Sequence, residues 1–166
     1  MNAIDIILVL ATTVAAMEVF AWAVHKYIMH GWGWGWGWHR DHHEPHSGLL
    51  ERNDWYAAMF SVLATALFTA GALWSPLLWW ISMGITVYGL IYAFVHDGLV
   101  HQRFMRWVLR KGYAKRLVQA HKLHHATVGR EGGVSFGFLF AADPAKLKAQ
   151  LRQQVADQRT ALRTPV

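Results

Sequence analysis

The sequence predicts an all-α integral membrane protein, with three transmembrane helices and a histidine-rich helical cap on the cytoplasmic side. Three observations carry this expectation. Of 166 residues, 54% are hydrophobic and only 16% are charged, against about 25% charged in soluble globular proteins. Three apolar stretches approach the roughly 20 residues that a helix needs to cross a bilayer. The eleven histidines gather at the ends of these stretches and beyond them.

The first span is expected over Ile4 to Val24, with Asp5 near its start and Glu18 inside it. It lacks the basic flank of a signal peptide and is too long for an h-region, so it reads as a retained span. The second runs from Trp55 to Trp74 and the third from Leu77 to Val95, and no charged residue lies between Trp55 and Val95. Only Ser75-Pro76 separates them, a turn signal that makes a tight helical hairpin. A chain of this length would hardly supply enough protein to bury both helices as a soluble core. Three spans is the preferred count, with a re-entrant first segment or a fourth membrane-embedded element as the alternative.

Lys and Arg set the orientation. No basic residue precedes Lys26 or lies near the Ser75-Pro76 turn, whereas Arg40, Arg52 and the series from Arg103 to Arg130 lie on the other side of the spans. That side is expected to face the cytoplasm, at the inner membrane of a bacterium. Phe104 to Gln119 mixes apolar residues and cations like a helix lying at the membrane interface. A basic patch is compatible with nucleic acid, but in a membrane protein it more naturally meets anionic headgroups, so no nucleic-acid partner is expected. Val134 to Phe140 is apolar and too short to span, and is expected to pack under the histidine-rich cap or dip into the interface. Asp143-Pro144 signals a helix start, and Leu147, Leu151, Val155 and Leu162 then recur on a polar background. The expected division is a membrane domain over 1–142 and a loosely docked amphipathic helix over 143–166.

The chain has no cysteine, which excludes disulfides, thiolate zinc sites, iron–sulfur clusters and C-x-x-C-H haem attachment. The histidines, by contrast, form a repeated pattern. His25-x4-His30 is followed by His39-x2-His42-His43, and His96-x4-His101 by His121-x2-His124-His125; His46 is left over. Within a helix, positions i, i+3 and i+4 share a face, so each triplet can offer three imidazoles to one region. Positions i and i+5 are about 140° apart on a regular α-helix. Each x4 pair must therefore straddle a helix end or a distortion, or approach from a helix lying beside the site. Ten imidazoles exceed what one cation takes and suit two. Imidazole serves Zn, Cu, Fe and Ni, but zinc usually stops at four ligands, so five donors per ion with an open position better suit redox iron. There is no H-E-x-x-H motif, no E-x-x-H pair of carboxylate bundles and no G-x-G-x-x-G. Electrons would then come from a separate donor, for which the basic face is a plausible dock.

The order H-x4-H, H-x2-HH, H-x4-H, H-x2-HH resembles the fatty acid hydroxylase superfamily of membrane di-iron enzymes. The words His25-Lys-Tyr-Ile-Met-His-Gly31, Trp36-Gly-Trp-His-Arg-Asp-His-His43, Glu51-Arg-Asn-Asp54, Tyr88-Gly-Leu-Ile-Tyr92, His96-Asp-Gly-Leu-Val-His-Gln-Arg103, Ala120-His-Lys-Leu-His-His-Ala126 and Val134-Ser-Phe-Gly-Phe138 narrow it. They resemble the bacterial beta-carotene 3-hydroxylases, from about Ile4 to Pro144. The Gly-Trp run from Gly31 to Trp38 departs from that pattern, looking extended relative to a shorter loop. The resemblance implies two Fe, replaceable by Zn in a purified sample, held by His25, His30, His39, His42, His43, His96, His101, His121, His124 and His125. It implies dioxygen as cosubstrate and a ferredoxin or an NAD(P)H-dependent reductase as partner. The reaction implied is hydroxylation of C3 on a β-ionone ring, taking beta-carotene through beta-cryptoxanthin to zeaxanthin, with ketolated carotenoids such as canthaxanthin as further substrates giving astaxanthin.

An unactivated ring C–H offers no acidity for a side chain to exploit, which agrees with metal and oxygen chemistry rather than acid–base catalysis. The protein's part is to hold one carbon near the metals. Trp32, Trp34, Trp36 and Trp38 could line an entrance or form an aromatic belt. Asp41, Asp54 and Asp97 could orient imidazoles, although Asn53-Asp54 reads better as a helix cap. Glu18, an intramembrane carboxylate, is either functional or hydrogen-bonded to another span. The alternatives are a fatty acyl or sterol hydroxylase or desaturase, and a membrane protein that binds or transports metal without redox chemistry.

Overall fold

The structure, a computed structural model, describes residues 1–44, 48, 50–127 and 129–163, with the side chains of 159 and 161–163 excepted. The described residues are helical or irregular, with no strand among them. Helix α1 (Ala3–Ala23) opens with a reciprocal cap in which the Asn2 side chain accepts from the Asp5 amide and the Asp5 carboxylate accepts from the Asn2 amide, each at 2.9 Å. Helices α3 (Asp54–Leu73) and α4 (Pro76–Tyr92) form the expected hairpin, with extended Ser75 before Pro76 at the first turn of α4. Proline suits that place because its missing N–H would have had no intrahelical partner.

Three stretches, Ala3–Met29, Asp54–Leu73 and Pro76–Val100, are long and apolar enough to cross a membrane, as in a multi-pass membrane protein. No residue of α1 is buried by protein, so its apolar faces need lipid around them. The hydroxyls of Ser61, Thr65, Thr69, Ser82 and Thr86 inside α3 and α4 all reach backbone carbonyls, as a lipid environment demands. Ser61, Thr65 and Thr69 each return a hydroxyl to the carbonyl four residues back, and Ser82 Oγ donates to the Ala64 carbonyl, tying α4 to α3. Helix α4 also packs against α1.

Spans one and three do not end as α-helices. Each runs on as a π-helix, here π1 (Val24–Met29) and π2 (Ala93–Val100). The cap is built from α2 (Gly33–His43) and α5 (Gly112–His124). Helix α2 contains most of the Gly-Trp run, which is therefore helical rather than an extended loop. Glycine costs a helix about 1 kcal/mol per residue, so tertiary contacts must hold it. One is the Tyr56 hydroxyl donating to the Gly35 carbonyl at 3.1 Å. A side chain on Gly35 would run into the Ile28 carbonyl, whereas Gly33 and Gly37 face open space.

The interfacial helix expected over Phe104 to Gln119 starts only at Gly112. Lys111 is extended and Gly112 has φ +87°, a conformation that interrupts any helix entering from Phe104. The non-helical stretch before it still exposes Phe104, Trp107 and Val108. An irregular strap over 129–143 leads to α6 (Pro144–Arg163). The first turn of α6 docks more closely than its amphipathic pattern suggests. Leu147 is buried with Leu117 and Ala120 of α5 and with Val134 and Ala141 of the strap, while Val155 is exposed.

Candidate metal centre

The π-helices resolve the problem of the x4 pairs. A π-turn closes by a hydrogen bond across five residues, and the amides of His30 and His101 donate to the carbonyls of His25 and His96 at 3.0 and 2.9 Å. The wider turn brings positions i and i+5 onto one side. The His25 and His30 rings lie 5.3 Å apart, and those of His96 and His101 4.5 Å apart. The triplets come from the last turns of α2 and α5, with His125 as the C-cap of α5.

All ten histidines of the repeated pattern converge, and they sort crosswise. His25, His30, His39, His43 and His124 form one cluster, and His42, His96, His101 and His121 a second, with ligand-capable atoms within 4.8 Å of one another in each. His125 joins the second through its Nε2, 2.9 Å from Nε2 of His121, while its ring stacks on His43 of the first. Neighbours on a helix point about 100° apart, so His42 and His43 serve different clusters. His46 lies outside the described residues.

Oxygen acceptors fix the ring orientations. The Nδ1–H groups of His25, His30, His43 and His124 donate to the carbonyls of Phe136, Arg130, Thr127 and Val134 at 2.8–3.1 Å. His39 donates to Asn53 Oδ1 at 2.7 Å, His42 to Glu51 Oε2 at 2.5 Å and His96 to Asp97 Oδ1 at 2.8 Å. With the proton on Nδ1, each of these seven neutral rings turns a lone pair on Nε2 inward.

Those lone pairs meet. Nε2 of His25 and of His43 each lie 3.2 Å from Nε2 of His39, and Nε2 of His42 and His96 are 3.0 Å apart. Two acceptors at that distance repel unless a cation lies between them. Metal–imidazole bonds of about 2.0–2.1 Å at right angles put two nitrogens about 3.0 Å apart, which matches the spacing found. Nε2 of His30 and of His124 is buried without a hydrogen-bond partner, as expected of a ligand atom rather than a core histidine. Burial, reinforced by neighbouring imidazoles, pushes the proton affinity of His42, His121 and His124 well below the ordinary imidazole value, and holds His43 down to about 4. The rings are thus kept in the neutral form a metal requires.

The carboxylates expected around the site divide. Asp97 orients His96. Asp54 pairs both its oxygens with the Arg103 guanidinium at 2.9 Å and accepts from the Glu51 amide, and Asp41 accepts from the Arg52 amide. The expected Asn53 cap is absent, because its side chain goes to His39 instead. Sequence reasoning missed Glu51 and Asn53 as histidine partners. The available signal was a charged and amide-bearing word set between a histidine triplet and a span.

Below the clusters lies an apolar cavity of about 500 Å³ between the three spans. Met17, Phe60, Ala64, Phe68 and Ile85 line it, and Tyr92 and Phe138 line it as well. Tyr92 stacks on His96 of one cluster at 4.6 Å and 19°, and Phe138 on His25 of the other at 5.1 Å and 11°. Each cluster is therefore one aromatic ring from the cavity. The four tryptophans of the Gly-Trp run are not among the lining residues. Trp36 packs on His30 and His43 at 5.2 and 5.4 Å, and Trp32, Trp34 and Trp38 are exposed.

The fatty acid hydroxylase family model matches residues 10–143. Beta-carotene hydroxylase of Paracoccus sp. (strain N81106 / MBIC 01143) is 57% identical over 146 residues, covering 87% of this chain and 90% of that protein. The beta-carotene hydroxylase of Pantoea ananas is 52% identical over 148 residues, covering 89% and 83%. The chloroplastic beta-carotene 3-hydroxylase of Haematococcus lacustris is 40% identical over 127 residues, covering 73% of this chain and 38% of that longer protein. No solved structure matches the chain. With an all-helical membrane fold, a double histidine cluster and these relatives, the chain belongs to the fatty acid hydroxylase family and is a hydroxylating enzyme of it.

Proposed function

We propose that the protein is a beta-carotene 3-hydroxylase whose ten clustered histidines hold two iron ions. The observation that carries this reading is the joint placement of the two clusters and the cavity. Both imidazole sets meet one apolar space between the spans, through Phe138 and Tyr92. The relatives' activity supports the choice of a carotenoid over a fatty acyl or sterol substrate.

Iron bound there, with dioxygen, two electrons and two protons, would supply the oxidising power to turn a C3–H into C3–OH with release of water. The side chains do the rest. Five histidines on one side and His42, His96, His101, His121 and His125 on the other would hold the metals, their Nδ1–H groups anchored as described. The cavity lies within the 300–1,000 Å³ usual for ligand pockets. It would take one ring and the start of the polyene, leaving the remainder among lipid chains. Its apolar walls exclude water and leave a β-ionone ring to be held by shape, so that position rather than hydrogen bonding selects C3. The basic loops support a cytoplasmic position for the clusters, at a bacterial inner membrane, by the positive-inside rule. There the chain would receive electrons from a ferredoxin or an NAD(P)H-dependent reductase.

The test is pigment chromatography from a beta-carotene-producing host expressing the chain, with iron analysis of the purified protein. Beta-cryptoxanthin and zeaxanthin are expected, and are lost in His96→Ala although the protein still inserts. Unchanged beta-carotene alongside hydroxylated acyl or sterol lipids would transfer the reading to the sister substrates. Bound metal with no oxidised product of any kind would end it.

A further inference from the structure

Glu18 is the only charged residue on its helix from Ile6 to Val24. Such a group is costly in a membrane and calls for donors around it. It has four. Oε1 accepts from the consecutive backbone amides of Phe138, Leu139 and Phe140 at 2.9, 2.9 and 3.1 Å, and Oε2 accepts from the Tyr88 hydroxyl of α4 at 2.9 Å. Three successive N–H groups turned on one oxygen form an anion cradle made by the backbone. The carboxylate therefore joins α1, α4 and the strap at one point.

The strap so held supplies acceptors to the first cluster, that of His25, His30, His39, His43 and His124. Its Phe136 carbonyl orients His25, and its Val134 carbonyl orients His124. Between them Ser135 has φ +60°, a left-handed conformation that a non-glycine residue keeps only when its surroundings impose it. Gly137 lets the carboxylate come close, since a side chain there would lie 3.0 Å from Glu18 Oε1 and 2.8 Å from the Phe140 carbonyl. The second cluster draws on other acceptors, Glu51 and Asp97, and meets the strap through the Phe138 ring, 5.5 Å from that of His96 and 6.1 Å from that of His121.

We infer that Glu18 is a positioning residue for one metal site of the two. It pins the strap so that the carbonyls of Phe136 and Val134 hold His25 and His124 as ligands of the first cluster, and it leaves the acceptors of the second, Glu51 and Asp97, untouched. This rests on the two-iron reading above.

The experiment compares wild type with Glu18→Gln and Gly137→Ala in purified, detergent-solubilised protein loaded with enriched iron. Glu18→Gln keeps the side chain's size but turns an amide towards amide donors. Gly137→Ala leaves the carboxylate intact and displaces it from the strap side. Losing such an orienting contact weakens a metal site about 10–100-fold. Both variants should lose or alter the Mössbauer signal of one iron and keep that of the other, so that limiting iron fills the undisturbed site first. Tyr88→Phe, which removes only one of the four bonds, should do the same to a smaller degree. Two unaltered iron signals in both variants would overturn the inference, and so would equal loss of both irons in either. A wild-type protein that binds no iron would instead defeat the functional reading, and the inference with it.

Discussion

Replacing Glu51 by Gln isolates what a buried anion contributes to the second cluster. Glu51 Oε2 lies 2.5 Å from His42 Nδ1, and the two side chains are 4% and 1% exposed, so no solvent screens the contact. A carboxylate behind an imidazole makes it a stronger electron donor to a metal. Glutamine keeps an oxygen acceptor, and hence the tautomer, but removes the charge. Loss of such a partner costs about 10–100-fold in metal affinity, or about 1.4–2.7 kcal/mol at 1.36 kcal/mol per tenfold. Burial and the short contact place Glu51→Gln near the upper end. Glu51→Leu also strands the His42 Nδ1–H and should add about 1–3 kcal/mol. Titration of the metal-free protein against a competing chelator reads both values. Unchanged affinity in Glu51→Gln would refute the argument, since the charge would then contribute nothing.

Further outcomes follow from other contacts. Asp97→Asn should weaken the same cluster less than Glu51→Gln in that titration, because Asp97 is 21% exposed and also lies 3.6 Å from Arg103. Thr65→Phe, which narrows the cavity from α3, should lower zeaxanthin yield while iron content stays at the wild-type level, as chromatography and metal analysis would report. Acid should destabilise the metal-free protein. His43 is held to about 4 and His125 to about 2 in the fold, against 6.5 when free, so the unfolded chain binds protons first. Stability is therefore complete above about pH 6.5 and falls as pH drops towards 4; melting of chelator-treated protein at pH 7.5 and 5 would show it, and equal midpoints would contradict it.

Several features were legible because they are local. Hydropathy and length located the start of each apolar helix to within a residue, whereas the first and third run on to Met29 and Val100 as π-helices; Ser75-Pro76 marked the hairpin. The i, i+5 spacing required something other than an α-helix at His25–His30 and His96–His101, and the π-turns meet that requirement. Less local expectations fared differently. The helix over Phe104 to Gln119 failed at Gly112, whose backbone conformation outweighs the surrounding pattern. The Gly-Trp run has poor helix propensity yet is helical, because Tyr56 and the histidine contacts hold it.

The sequence alone determined that ten imidazoles at the ends of membrane helices would share one region, because periodicity fixes which residues lie on one face and where a helix leaves lipid. Only the tertiary structure decided how they divide. His42 and His43 part because adjacent positions on α2 diverge and different partners surround each. The acceptors that orient the rings are mostly backbone carbonyls, at Thr127, Arg130, Val134 and Phe136. Every residue has a carbonyl, so no residue type marks them in advance; they are selected by the path the chain takes, and Glu18 fixes part of that path.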